Sequence, residues 1–235
     1  MLNFYVEQSQ GFGLGNFINC TPTIKALYKE HGEKIPVLFR QDYVKQCYIN
    51  SPYIEIIESG RLRSRLFGSD MINRRNDCRD SDFIEINVLG ATCLEDTFID
   101  EVEPYKHGEP YGLFINGAGN HSEEYLQRKI VDLDTQQLIQ ELSPITVLGT
   151  GSEADAENNM FYGSYGDIRE SLAMVAGASW VITNATGFYH VAGAYKKVQL
   201  CLWKDCKRPR NENINEFCIN ANHNEWKQKI IQFLK

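Results

Sequence analysis

The chain has 235 residues, 43% hydrophobic and 23% charged, with 24 basic against 31 acidic side chains and a formal net charge of −7. That is an ordinary globular composition with ample core, enough for one large or two small domains. No apolar run approaches the roughly 20 residues of a membrane-spanning helix, and the opening residues lack the basic and apolar regions of a secretory signal.

Leu2–Val6 reads as a first strand. Gly11, Gly13 and Gly15 follow in a glycine loop, and Thr21-Pro22 predicts an N-cap and first helical residue, with Ile24, Leu27 and His31 on one face. The loop is not the dinucleotide fingerprint, because Ile18 stands where a third glycine is needed. Ile35–Phe39 is the next strand, Tyr43–Tyr48 a short helix and Ile54–Ile57 a third strand. Between Arg61 and Arg79 stand six arginines (61, 63, 65, 74, 75 and 79) against two aspartates. This run reads either as a solvated surface loop or as a platform for a phosphate-bearing partner, since arginine favours bidentate phosphate contacts. Only Phe67 interrupts it as an aromatic, so base stacking is not signalled. Phe83–Val88 alternates as a strand, and Pro104–Pro110 is the expected boundary, giving domains over 1–105 and 110–235.

The second half opens with Tyr111–Ile115 running into a glycine turn at Gly117. Leu138 and Leu142 mark a helix face, and Ile145–Gly149 a strand. Ile168, Leu172 and Val175 recur as one helical face behind Asp167 as N-cap, with Gly177 near the end. Trp180–Thr183 is a strand, the turn 184–190 leads into a helix carrying Val191 and Ala194, and Val198–Trp203 is another strand. Trp226, Ile230, Phe233 and Leu234 have the spacing of an amphipathic closing helix. A strand that turns through glycine into a helix directs backbone N–H groups and the positive helix end at one point, which suits phosphate. Gly187 allows close approach there. His190, in the first turn, either donates to an anion or is a satisfied core histidine.

The run from Ser171 to Trp203 resembles the nucleotide-binding segment of the heptosyltransferase-like glycosyltransferases of family 9, through Thr183, Asn184, Thr186, Gly187, His190, Ala192 and Ala194. Gly13, Leu14, Gly15, Thr21, Pro22, Ala26 and Leu27 resemble that family's opening. The resemblance implies an α/β protein of two Rossmann-like domains facing a cleft, the GT-B type. It implies an inverting, metal-independent transfer of sugar from a nucleotide-diphosphate donor, with no cofactor beyond that co-substrate. Donor contacts would come from Asn184, Thr186, Gly187, His190 and Gly117, from Arg128 or Lys129, and from Glu153 on the ribose. Acceptor contacts would come from Gly13, Gly15, Asn16, Arg61, Arg63, Arg65, Arg74 and Arg75. The closing helix often crosses back to the first domain in such proteins.

Two family aspartates are replaced. Asn16 occupies the position of the general base and Ala185 that of a carboxylate at the donor sugar. An amide cannot take the acceptor's proton. Either another acid serves, with Asp42, Asp96, Asp100 and Glu101 as candidates that spacing does not separate, or the chain is catalytically inactive. Three functions stay open: transfer to modified bases of DNA, transfer to a lipopolysaccharide or phospho-glycan core, and a non-catalytic nucleotide-sugar or nucleic-acid binding module. The seven cysteines are odd in number and contain no CxxC pair. They predict reduced thiols and a cytoplasmic location, and the chain is expected to be a monomer or weak dimer.

Overall fold

The computed structural model describes residues 2–8, 13–59, 64–67, 97–115, 133–150, 168–184, 187–203, 216–220 and 223–235. The chain divides into two compact units, Met1–Glu101 and Val102–Lys235. Each is built on one sheet in which every pairing is parallel. Parallel strands need crossovers, and among the described residues helices lie between five pairs of strands that follow one another in the chain, where the strands read as apolar runs.

In the first unit the elements are β1 (Phe4–Gln8), α1 (Leu14–Ile18), α2 (Thr21–His31), β2 (Ile35–Phe39), α3 (Asp42–Gln46), β3 (Ile54–Ile56) and β4 (Ser64–Phe67), and the strand order is β3-β2-β1-β4. Phe17 anchors the core, packing at 5.0 Å against both Phe39 and Tyr48. Val6, Ile24, Ile35 and Val37 are fully enclosed around it. Thr21 is inside α2 and not its cap. The cap is Cys20, whose backbone is already helical because α1 runs almost directly into α2. Thr21 Oγ1 instead donates to Ile18 O at 2.6 Å and accepts from Phe98 N at 2.9 Å. Ile24 and Leu27 are buried as expected, but His31 is exposed, its ring 5.5 Å from that of Phe4. α2 ends at Gly32, whose φ of 70° is the left-handed C-cap that glycine adopts without strain.

The second unit contains β5 (Tyr111–Ile115), α4 (Leu133–Leu142), β6 (Thr146–Thr150), α5 (Ile168–Gly177), β7 (Trp180–Asn184), α6 (Gly187–Ala194), β8 (Gln199–Trp203), β9 (Glu216–Asn220) and α7 (His223–Leu234). Its strand order is β6-β5-β7-β8-β9. Phe114, Ile139, Ile182, Leu200 and Leu202 form one core with Trp226, Ile230 and Leu234. The apolar stripe of α7 is thus used within the second unit, on the α4 face of the sheet. Across the strand pair, Gly112 lies opposite Trp180, and a Cβ on that glycine would enter the indole ring.

The proline-rich segment belongs to the second unit. Tyr105 N donates to Ala173 O at 2.9 Å, and the rings of Tyr105, His107 and Tyr111 meet edge to face or tilted. Tyr111 Oη donates to Met174 O at 2.7 Å. Burial, and then the neighbouring Tyr105, push that phenol up to about 12, so it stays a donor. Gly177 is the residue that permits this approach, because a Cβ there would meet the Tyr105 carbonyl and the Tyr111 hydroxyl. The expected strand over 83–88 lies outside the described residues. Among the described residues, no helix is long and apolar enough to cross a membrane, and Cys20, Cys47 and Cys201 are buried thiols outside any disulfide.

Candidate functional site

In an open parallel sheet, ligands bind at the carboxyl ends of the strands, where the crossovers diverge to opposite sides. The strand orders fix that place in each unit. In the second unit it lies between β5 and β7, with β6 on one side and β8 and β9 on the other. In the first it lies between β1 and β4, with β2 and β3 to one side. The two glycine loops singled out from the sequence follow β7 and β1, so both stand at these switch points.

In the second unit, β7 delivers the chain to Gly187, the first residue of α6, and no acidic side chain occupies that helix's first turn. The positive helix end therefore has no carboxylate of its own helix to offset it. Ile182 points into the core with Trp226 and Ile230. Strand alternation then puts Thr183 on the opposite face, where α6 packs. Thr183 is fully buried, and its hydroxyl makes no hydrogen bond among the described residues. His190 stands one turn into α6, its ring 5.0 Å from that of the buried Tyr189. Part of the His190 surface reaches solvent, yet the atoms packed around the ring desolvate it, and burial lowers its pKa to about 4. It is a neutral imidazole at pH 7. Asn184 ends β7 with its side chain outside the description, and Gly117, Arg128, Lys129, Glu153 and Thr186 lie outside the described residues.

In the first unit, Gly13 is the N-cap of α1, with no side-chain cap hydrogen bond. Asn16 is exposed, and its carbonyl accepts from Cys20 Sγ at 3.5 Å. The Tyr43 hydroxyl would lie 3.3 Å from a Cβ on Gly13, which brings the start of α3 beside the glycine loop. Asp42, the first residue of α3, is exposed there, within 3.5 Å of Gln46 Nε2. Asp100 has a different place: it is 3% exposed, its Oδ2 accepts from Asn50 N at 2.7 Å and its own N–H donates to Cys47 O. That carboxylate ties down the chain that follows α3 and has no open face for an acceptor.

Sequence reasoning missed a further cluster at this edge. Glu7, near the end of β1, has a side chain only 8% exposed and takes Arg40 Nε at 2.8 Å and Arg65 Nη1 at 3.3 Å. Tyr5 Oη donates to the same carboxylate at 3.5 Å. Burial would raise the Glu7 pKa, but the hydrogen bonds and charges of Arg40 and Arg65 together outweigh it and hold the carboxyl below its usual value. Gln8 is fully buried beside it; its Oε1 accepts from the backbone of Arg40 at 3.0 Å and of Gln41 at 3.1 Å, and its Nε2 donates to Gln41 Oε1 at 2.8 Å. Arg65, taken with the arginine run as a loop residue, is in strand β4. Arg61, Arg63, Arg74 and Arg75 lie outside the described residues.

No family model matches the sequence, and no curated protein does. Solved structures do. The Escherichia coli heptosyltransferase WaaC, solved with ADP-2-deoxy-2-fluoro heptose, superposes with a TM-score of 0.66 at 11% identity, over 97% of this chain and 99% of that one. A family 9 glycosyl transferase from Veillonella parvula gives 0.70 at 12% identity, covering 97% and 88%. The E. coli ADP-heptose lipopolysaccharide heptosyltransferase II gives 0.68 at 13% identity, covering 99% and 97%. Such identities speak to the fold. The chain has the α/β fold of the heptosyltransferase-like glycosyltransferases of family 9.

Proposed function

We propose that the protein is a glycosyltransferase that binds a nucleotide-diphosphate sugar on the second unit and an anionic acceptor on the first. One observation carries this reading: α6 starts at Gly187, just after the carboxyl end of β7 at the switch point of the second sheet, with no acid in its first turn. The ADP and ADP-sugar complexes of the structural neighbours support a nucleotide donor. The diphosphate rests on the amides at Gly187, with His190 donating to it. Asn184, Thr186, Gly117, Arg128 or Lys129, and Glu153 complete the donor contacts. Transfer inverts the anomeric carbon without a metal: a base takes the acceptor's hydroxyl proton, that oxygen attacks C1, and the nucleoside diphosphate leaves.

Asn16 orients the acceptor, and Asp42 takes its proton. Asp42 is supported over Asp100 by its exposure and by the contact between its neighbour Tyr43 and the glycine loop. A phospho-glycan acceptor is the reading the lipopolysaccharide enzymes among the neighbours favour. The alternative of DNA bases rests on the arginine run, the short first domain and the two replaced aspartates. Incubation with UDP-, ADP- and GDP-sugars and either a phospho-glycan core or duplex DNA, read by mass spectrometry, should show one acceptor gaining a sugar mass. Asp42→Asn should slow that transfer by about 10²–10⁴-fold with donor affinity unchanged. Donor binding without transfer to any acceptor would leave only a binding module, and absence of both would end the reading.

A further inference from the structure

We infer that the backbone freedom between the two units is confined to Glu101 and Val102, because the proline-rich segment beyond them is a strap fastened to α5. The donor reading above plays no part in this. Residues 97–115 are described without a break, so both sides of the joint can be followed.

The near side is pinned to the first unit. Phe98 N donates to Thr21 Oγ1 at 2.9 Å, and its carbonyl accepts from Tyr48 Oη at 3.3 Å. Ile99 is buried, Asp100 N donates to Cys47 O at 3.0 Å, and the Asp100 carboxylate takes Asn50 N at 2.7 Å. The far side is pinned to the second unit. Tyr105 N donates to Ala173 O at 2.9 Å and Tyr111 Oη to Met174 O at 2.7 Å, with the two rings edge to face at 6.1 Å. Gly177 leaves the Tyr105 backbone the room it occupies.

Four residues remain between these anchors. Among the described residues, Glu101 and Val102 make no hydrogen bond or ion pair. Glu103 holds Lys106 at 3.0 Å, an exposed pair that restrains little. Pro104 fixes its own φ near about −65° and keeps Glu103 extended, so the distal half of the joint is stiff. The φ and ψ of Glu101 and Val102 are what stays soft. Prolines and a glycine alone would place the bend within 104–110; the anchors move it upstream. So short a joint is a pivot and not a floppy linker.

Hydrogen exchange of the full chain, read amide by amide by NMR, tests this. The Asp100 and Tyr105 amides should exchange about 100-fold more slowly than unprotected ones, and those of Glu101, Val102 and Glu103 within about tenfold of the unprotected rate. Tyr111→Phe keeps the ring and deletes the bond to Met174 O. It should speed exchange at Tyr105 about tenfold and leave Asp100 unchanged. The wild-type comparison needs no variant, so it decides even if Tyr111→Phe does not fold. Glu101 and Val102 as protected as Asp100, or Tyr105 exchanging as fast as Glu103, would overturn the pivot.

Discussion

The two units solve the same topological problem with different chemistry. Each is a parallel sheet whose switch point is entered by a glycine loop. In the second unit the loop opens an eight-residue helix with an acid-free first turn and a neutral histidine. In the first it opens a five-residue helix, and the sheet carries an ionic cluster of Glu7, Arg40 and Arg65. The second unit presents a helix start free of acids, whose dipole suits an anion. The first presents mounted charges. A strand-to-helix turn recurs in both, but what lines it decides what it can hold.

The strongest way to break the comparison is to remove one sheet's integrity. Gly112→Val would drive a branched side chain into Trp180, and overpacking between paired strands should cost about 3 kcal/mol or more. Thermal unfolding should fall sharply and ADP binding with it. A variant of wild-type stability would show that the strand pair is looser than described.

A smaller effect sharpens the donor side. Protonating His190 at pH 7 from a pKa of about 4 would cost about 4 kcal/mol, more than the roughly 1.5–3 kcal/mol net of a charge-assisted hydrogen bond. An imidazole that binds the proposed diphosphate would therefore do so neutral at pH 7. His190→Ala should weaken ADP binding by about 0.5–1.5 kcal/mol there and by more near pH 5, where the ligand's charge recruits the proton. Calorimetry in buffers of different ionisation enthalpy reads that proton uptake directly. An equal loss at both pH values would take His190 off the diphosphate.

The same residue affects stability with a definite sign. Its folded pKa, about 4, is below the unfolded 6.5, so the unfolded chain binds more protons between them. Stability is full above 6.5, is lost as pH falls through that window, and levels off below it; the loss is at most about 3 kcal/mol. Glu7, held down by two arginines, adds its own loss below its ordinary value of 4.5. Denaturant midpoints from pH 7.5 to 4 should decline in wild type and decline less in His190→Ala. Glu7→Gln should lower stability by only about 1–2 kcal/mol, because the arginines are half solvated and the pairs are screened.

Much of this was legible in the sequence because parallel strands announce themselves as apolar runs. Ile35–Phe39, Tyr111–Ile115 and Trp180–Asn184 are such runs, and the glycine loops follow two of the strands directly. β4 was not legible, because its sequence reads as part of an arginine-rich loop. Arg61, Arg63 and Arg65 alternate with Leu62, Ser64 and Leu66, a period-two signal masked by charge. β9, Glu216–Asn220, is short and equally mixed. The Glu7 cluster escaped because Glu7 and Gln8 look like the polar end of a strand. That a buried carboxylate and a buried amide should extend β1 depends on partners 33 and 58 positions away, and tertiary pairing of that kind leaves no local pattern. The boundary proline segment was visible, but its attachment to α5 depended on Gly177 having no side chain.

The central claim is that the amides at Gly187 hold a donor diphosphate. Titrating ADP into uniformly ¹⁵N-labelled protein tests it most directly. The account predicts saturable shifts of the Gly187 and Phe188 amides and of the His190 ring, with Glu7 and Arg40 undisturbed. ADP that binds without moving Gly187, or that does not bind at all, would contradict it.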